Sequence, residues 1–120
     1  LTHDADRYAD EEWWRGERPW LAMGPGSWGW IRAALASIRR LDRPGVLEAV
    51  ATPVLILATT ADGLVGFDAI DRAAWRLPRA QLLRYGPEAR HEILREEDAV
   101  RDRALAAIDD FLDRTAPVRD

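Results

Sequence analysis

The sequence predicts an α/β fold built on a parallel sheet, and three observations predict it. Two apolar runs, "PVLILAT" and "AQLLRY", have the length and composition of strands. A helical pattern separates them and another follows the second, giving the order strand, helix, strand, helix of a βαβα unit. The hydrophobic periodicity changes character near residue 50, so the chain divides into a helical segment, 1–50, and the βαβα segment, 51–120.

The helical segment comes first and carries five of the six tryptophans. Asp6 to Arg15 reads as a short helix that "GERP" breaks at Gly16 and Pro19. Trp28 to Leu41 reads as a longer one. Its Ile31, Ala34, Leu35, Ile38 and Leu41 recur at three- and four-residue spacing and make one apolar face. Ser27 stands at the N-cap position of that helix. "DRPG" stops it, and Val46 to Val50 reads as one more turn.

In the second segment, "PVLILAT" suits a strand buried on both faces. "TADGLVG" is a loop, and Phe67 to Leu77 is a helix with Ile70, Ala73, Ala74 and Leu77 on one side. Pro78 ends it. "AQLLRY" is the second strand, closed by Gly86-Pro87, and the last helix is expected from about Glu97 to Asp113. The crossover should be right-handed.

Composition narrows the function. The 120 residues suffice for one modest core. No apolar run approaches the ~20 residues that span a bilayer, and "LTHD" is polar where a secretory leader would be apolar. Without cysteine there are no disulfides or thiolate metal sites, which fits a reducing compartment. The net charge is −4, and all 17 basic residues are arginine, scattered among acids along helices. That pattern reads as solvated helix faces and argues against a nucleic-acid surface.

Functional groups of a parallel sheet gather beyond the carboxyl ends of its strands. Asp62 follows the first strand and His91 follows the second. An aspartate that accepts from one imidazole nitrogen fixes the tautomer and stabilises the imidazolium formed at the other. Neighbouring strands lie ~5 Å apart, close enough for the two loops to meet. The residues alone leave a second reading open, in which Asp62 caps an Asp-Gly turn and His91 is a surface loop residue. Asp68 and Asp71 suit dipole and capping roles at the start of a helix, and His3 reads as a surface histidine.

"TPVLILATTADGLV" and "LPRAQLLRYGPEARHEILREEDAVRDRALAAIDDFL" together resemble the C-terminal end of an α/β-hydrolase. The nearest group is the lysophospholipase and monoacylglycerol-lipase-like serine hydrolases. Asp62 with Leu64 and Val65 matches the loop of the triad acid. Gly86, His91 and Glu92 match the segment of the triad histidine, and Glu96, Asp98 and Arg101 match the pattern opening the last helix. "LTHDADRY" and "PWLAMGPGSWGWIRAAL" resemble the helical cap over such a site, so the likeness covers nearly the whole chain.

The resemblance implies a serine esterase acting on a lysophospholipid or monoacylglycerol, with Asp62 as triad acid and His91 as base. It implies no metal and no organic cofactor. Trp28, Trp30 and Val65 are its candidate substrate contacts, and 1–50 is its cap. It implies a bacterial-type cytoplasmic or peripherally membrane-associated enzyme with no nucleic-acid partner. Other chemistries of the scaffold (epoxide hydrolase, dehalogenase, peptidase) stay open. So does a non-catalytic interaction module that uses a strand edge and the tryptophan-rich helices.

The nucleophile is not expected within these residues. "PGSWG" is one residue from the G-x-S-x-G elbow, but Pro25 replaces its first glycine and no strand precedes Ser27. Ser37, the only other serine, lies inside a helix. The chain therefore reads as the C-terminal portion of a larger hydrolase, inactive alone. Its unpaired strand edge and apolar faces predict self-association.

Overall fold

The computed structural model describes residues 1–116. In chain order it contains α1 (Ala5–Glu17), a 3-10 turn (Pro19–Leu21), α2 (Trp28–Leu41), β1 (Val54–Thr59), α3 (Phe67–Arg76), β2 (Ala80–Tyr85), a second 3-10 turn (Ile93–Arg95) and α4 (Asp98–Thr115). The predicted elements are all present, with ends displaced by a residue or two. α1 starts earlier than Asp6 because Asp4 caps it, its carboxylate accepting from the Arg7 N–H at 3.0 Å. Gly16 lies inside the last turn of α1, and the break comes at Arg18 before Pro19. α3 stops at Arg76, since Leu77 turns extended ahead of Pro78. Residues 43–49 form turns in place of a regular helix, with Gly45 at φ 84°, a conformation that favours glycine.

β1 and β2 pair in parallel, in a register from Val54 opposite Ala80 to Thr59 opposite Tyr85. Both strands therefore end at the same edge, and the loops carrying Asp62 and His91 leave from it. β1 is less enclosed than its apolar run predicts. Only Ala58 and Thr59 are buried, while Val54 to Leu57 are half-buried. Full enclosure on both faces needs more cover than α3, α4 and one neighbouring strand supply.

The core sits under that edge. Tyr85, Ala89, Ile93 and Ala104 form it, with Leu57, Leu83 and Val100 packed around them. Arg103 from α4 lies over the Tyr85 ring, 4.1 Å from its centroid, and pairs with Glu88 at 2.9 Å. The loop and α4 thereby close over the end of β2.

α1 and α2 are tied to this body through polar contacts. The Arg7 guanidinium of α1 reaches the Glu96 carbonyl and the Asp98 carboxylate, and Arg95 donates to the Arg7 carbonyl. Arg76 of α3 donates to the Leu41 and Arg43 carbonyls and pairs with Glu48 at 2.8 Å, anchoring the end of α2. This pair holds the Glu48 carboxyl down at about 2. The apolar stripe of α2 stays open: Ile31, Leu35, Ile38 and Leu41 are all exposed, as are all six tryptophans. The radius of gyration, 17.0 Å, exceeds the roughly 13–14 Å of a compact domain this long, as expected where helices stand on the body without sharing its core.

Candidate active site

Two loops meet at the carboxyl edge of the sheet. After β1, "TADGLV" folds into a turn around Asp62. Asp62 Oδ1 accepts from the backbone N–H groups of Leu64 at 2.7 Å and Val65 at 3.1 Å. Its other oxygen, Oδ2, lies 2.8 Å from His91 Nδ1. Of the two arrangements that the sequence left open, the Asp62 turn and the Asp62–His91 contact are both present, one on each oxygen. Asp62 caps the turn, and it also holds the imidazole.

The carboxylate can only accept, so the proton between them belongs on His91 Nδ1, which leaves Nε2 as a proton acceptor. The Asp62 side chain is 8% exposed and that of His91 38%, so the acid is sheltered and the base is open. Burial raises the Asp62 carboxyl's affinity for its proton. The His91 hydrogen bond and the Leu64 and Val65 N–H groups outweigh it and hold the group below the ordinary aspartate range.

Thr59 fixes the distance between the loops. It is 1% exposed at the end of β1. Its hydroxyl lies 2.9 Å from the Gly86 carbonyl and 2.7 Å from the Ala89 carbonyl, and it accepts from the Ala61 N–H at 3.0 Å. One side chain therefore joins the start of the Asp62 loop to the segment leading into His91. Nothing in local periodicity singles Thr59 out. The signal is a polar residue at the buried end of an apolar strand.

Glu96 fixes the far end of the His91 loop, and sequence reasoning also missed this role. It is fully buried. Its carboxylate accepts from the Arg90 N–H at 2.7 Å, the His3 N–H at 2.9 Å and His3 Nδ1 at 3.1 Å. Burial pushes its proton affinity up, but the His3 and Arg90 N–H groups and then the His3 imidazole prevail, and the carboxyl lies below the usual glutamate range. His3 is consequently more than a surface histidine. Its ring belongs to a network that joins residues 1–7 to the loop before α4. Thr2, donating to the Arg95 carbonyl at 2.6 Å, and the Leu1 carbonyl, accepting from Glu92 N–H at 3.1 Å, complete the seam.

A cleft of about 550 Å³ opens beside the pair, lined by Leu1, His3, Ala61, Gly63, Leu64, Pro87, Arg90 and His91. Among the described residues, no hydroxyl or thiol side chain lines it. Ser27 caps α2, its Oγ accepting from the Trp30 N–H at 3.1 Å, and lines a separate depression with Met23, Gly24, Gly26 and Trp30. Trp28 and Trp30 are 86% and 65% exposed, and neither lines the His91 cleft. Val65 supplies its backbone N–H to Asp62, and its neighbour Leu64 reaches the cleft. Asp68 lies in the first turn of α3, whereas Asp71 lines a groove by Trp75 and Leu82. No group of three or more His, Cys, Asp or Glu side chains among the described residues is placed to hold a metal ion.

No family model matches the chain. It is 28% identical over 96 residues to the probable lysophospholipase L2 of Haemophilus influenzae, an alignment covering 80% of this chain and 30% of that protein. Its fold superposes on a soluble variant of monoglyceride lipase from Saccharomyces cerevisiae, crystallised with a substrate analogue, with a TM-score of 0.73. That match has 20% identity and covers 97% of this chain and 41% of the lipase. The chain spans less than half the length of either protein. It has a partial α/β-hydrolase fold, similar to that of the monoglyceride lipase, as its motifs predicted. No helix among the described residues is long and apolar enough to cross a membrane.

Proposed function

We propose that this chain supplies the acid and base of a serine hydrolase that cleaves lipid esters. The observation that carries this reading is the Asp62–His91 hydrogen bond of 2.8 Å at the carboxyl edge of the parallel sheet, beside an open cleft. In the reaction, His91 Nε2 takes the proton of a serine hydroxyl as the oxygen attacks the ester carbonyl. The imidazolium formed is stabilised by Asp62 and then delivers the proton to the leaving alcohol. Water repeats the sequence on the acyl-enzyme and regenerates the serine.

The nucleophile lies outside these 120 residues in this reading, and so does the oxyanion hole. Residues 1–50 act as the cap and residues 51–120 as the end of the core. The tryptophans and the open stripe of α2 provide the apolar surface that an acyl chain or the rest of the core needs. A peripheral association with membranes, where such substrates reside, and a bacterial origin belong to the same reading. His91→Ala in the full-length protein is expected to lower ester hydrolysis at least ~1000-fold with the fold intact by circular dichroism. Turnover retained in that variant removes the proposal.

A second reading draws on the exposed stripe of α2 and the unpaired strand edge. It makes the chain an interaction module that binds by strand addition or helix docking. A strand–G-x-S-x-G–helix unit upstream in the same coding sequence decides for the hydrolase; an unrelated domain there decides for the module.

A further inference from the structure

The network behind the cleft ends on the Arg90 guanidinium, which lines the cleft. Glu96, fully buried, holds His3 through Nδ1 at 3.1 Å. The other ring nitrogen, His3 Nε2, accepts from Arg90 Nε at 3.0 Å. A ring nitrogen that accepts carries no proton, so His3 is the neutral tautomer with its proton directed at Glu96. A buried carboxylate thus orients an exposed guanidinium through an imidazole.

Arg90 and His91 are consecutive and line the same cleft. The Nη groups of Arg90 make no hydrogen bond, and the side chain no ion pair, among the described residues. Of the nearby carboxylates, Asp62 faces His91, Glu88 faces Arg103 and Glu92 faces Arg95, while Glu96 reaches Arg90 only through its backbone N–H and the His3 ring, leaving the Nη groups free for a ligand. The wall of the cleft therefore presents a planar, doubly donating cation beside the proposed base. That donor pattern matches two oxygens of one phosphate or phosphodiester.

We propose that Arg90 is an anion-binding residue that takes the phosphodiester of a lysophospholipid headgroup while the ester lies at His91. The inference rests on the hydrolase reading and names its substrate class. A short glycerol backbone separates ester from phosphate in such a lipid, and a monoacylglycerol offers only a hydroxyl at the corresponding place. Glu96 and His3 are positioning residues in this arrangement. They act on the substrate only through the guanidinium.

The test compares kcat/KM for lysophosphatidylcholine and for a monoacylglycerol of the same acyl chain, in the full-length protein. Arg90→Gln is expected to lower the ratio of the two about 10- to 100-fold, and Arg90→Lys by less, because it keeps the charge and loses the fork. The backbone N–H that Arg90 donates to Glu96 survives either change, so the loop stays anchored. A ratio that Arg90→Gln leaves unmoved overturns the proposal. A second readout does not need turnover: ¹⁵N NMR of the His3 and His91 imidazoles during titration with glycerophosphocholine or inorganic phosphate. Glycerophosphocholine is expected to shift these signals in the wild type and not in Arg90→Gln. Equal responses in both, or a response to inorganic phosphate alone, overturn the headgroup assignment. If the wild type hydrolyses neither ester, the hydrolase reading fails, and the titration still decides the anion site.

Discussion

Replacing Glu96 by glutamine isolates what holds the His91 loop. The change preserves the shape of the side chain and removes one acceptor. The carboxylate receives the Arg90 N–H on Oε1 at 2.7 Å and the His3 N–H on Oε2 at 2.9 Å. Glutamine has one oxygen, so its amide nitrogen must face one of these donors, N–H against N–H. A hydrogen bond to a charged group contributes about 1.5–3 kcal/mol, and the one that survives is weakened to a neutral bond of about 1 kcal/mol. A buried neutral amide costs less to desolvate than a carboxylate, which offsets part of the loss. The expected destabilisation is about 2–3 kcal/mol. Urea unfolding followed by circular dichroism is the assay, and the midpoint should fall by about 1–2 M.

The pH dependence of the difference has a definite sign. The Glu96 carboxyl lies below its usual range in the folded protein, so the unfolded chain binds its proton more readily. The stabilisation from Glu96 is complete above the unfolded value of about 4 and disappears as pH falls through the folded value. Wild type and Glu96→Gln should therefore converge in acid. A midpoint shift below about 0.3 M at neutral pH, or a difference that persists undiminished well below pH 4, would falsify the role assigned to Glu96.

Ser27→Ala should loosen the start of α2 by about 1 kcal/mol, seen as roughly five-fold faster amide exchange at Trp30 and Ile31. Unchanged exchange, or labelling of Ser27 by a fluorophosphonate probe, contradicts its role as a cap. We also propose that the 120-residue chain self-associates when isolated, burying the stripe of α2 and the tryptophans that are now open. Light scattering that finds a stable monomer at high micromolar concentration rules this out.

What was legible in the sequence follows from the range of the interactions involved. α2 was readable from Ser27 to Leu41 because a cap and a helical period are local signals. The parallel pairing of β1 and β2 was readable because a helix must cross between them. The Asp62–His91 contact became readable once both residues were placed past strand ends on one edge. Glu96 and Thr59 were not. The partners of Glu96 include His3, 93 residues away, and those of Thr59 include carbonyls 27 and 30 residues on. Such pairings obey no period, and a glutamate in "REED" looks like any solvated helix start. The exposure of α2 was equally hidden, because an apolar face states what should be covered without saying by what.

The two oxygens of Asp62 bear on the timing of proton transfer in the proposed hydrolase. An acid that held only the imidazole could swing toward solvent and return for each turnover. Here, rotation about the bond to the carboxylate would also break the Leu64 and Val65 N–H bonds. The carboxylate facing the imidazole is therefore oriented before any proton moves. In a hydrolase built on this pair, the polar surroundings of the base need not reorient during proton transfer, because folding of the turn has already set their direction.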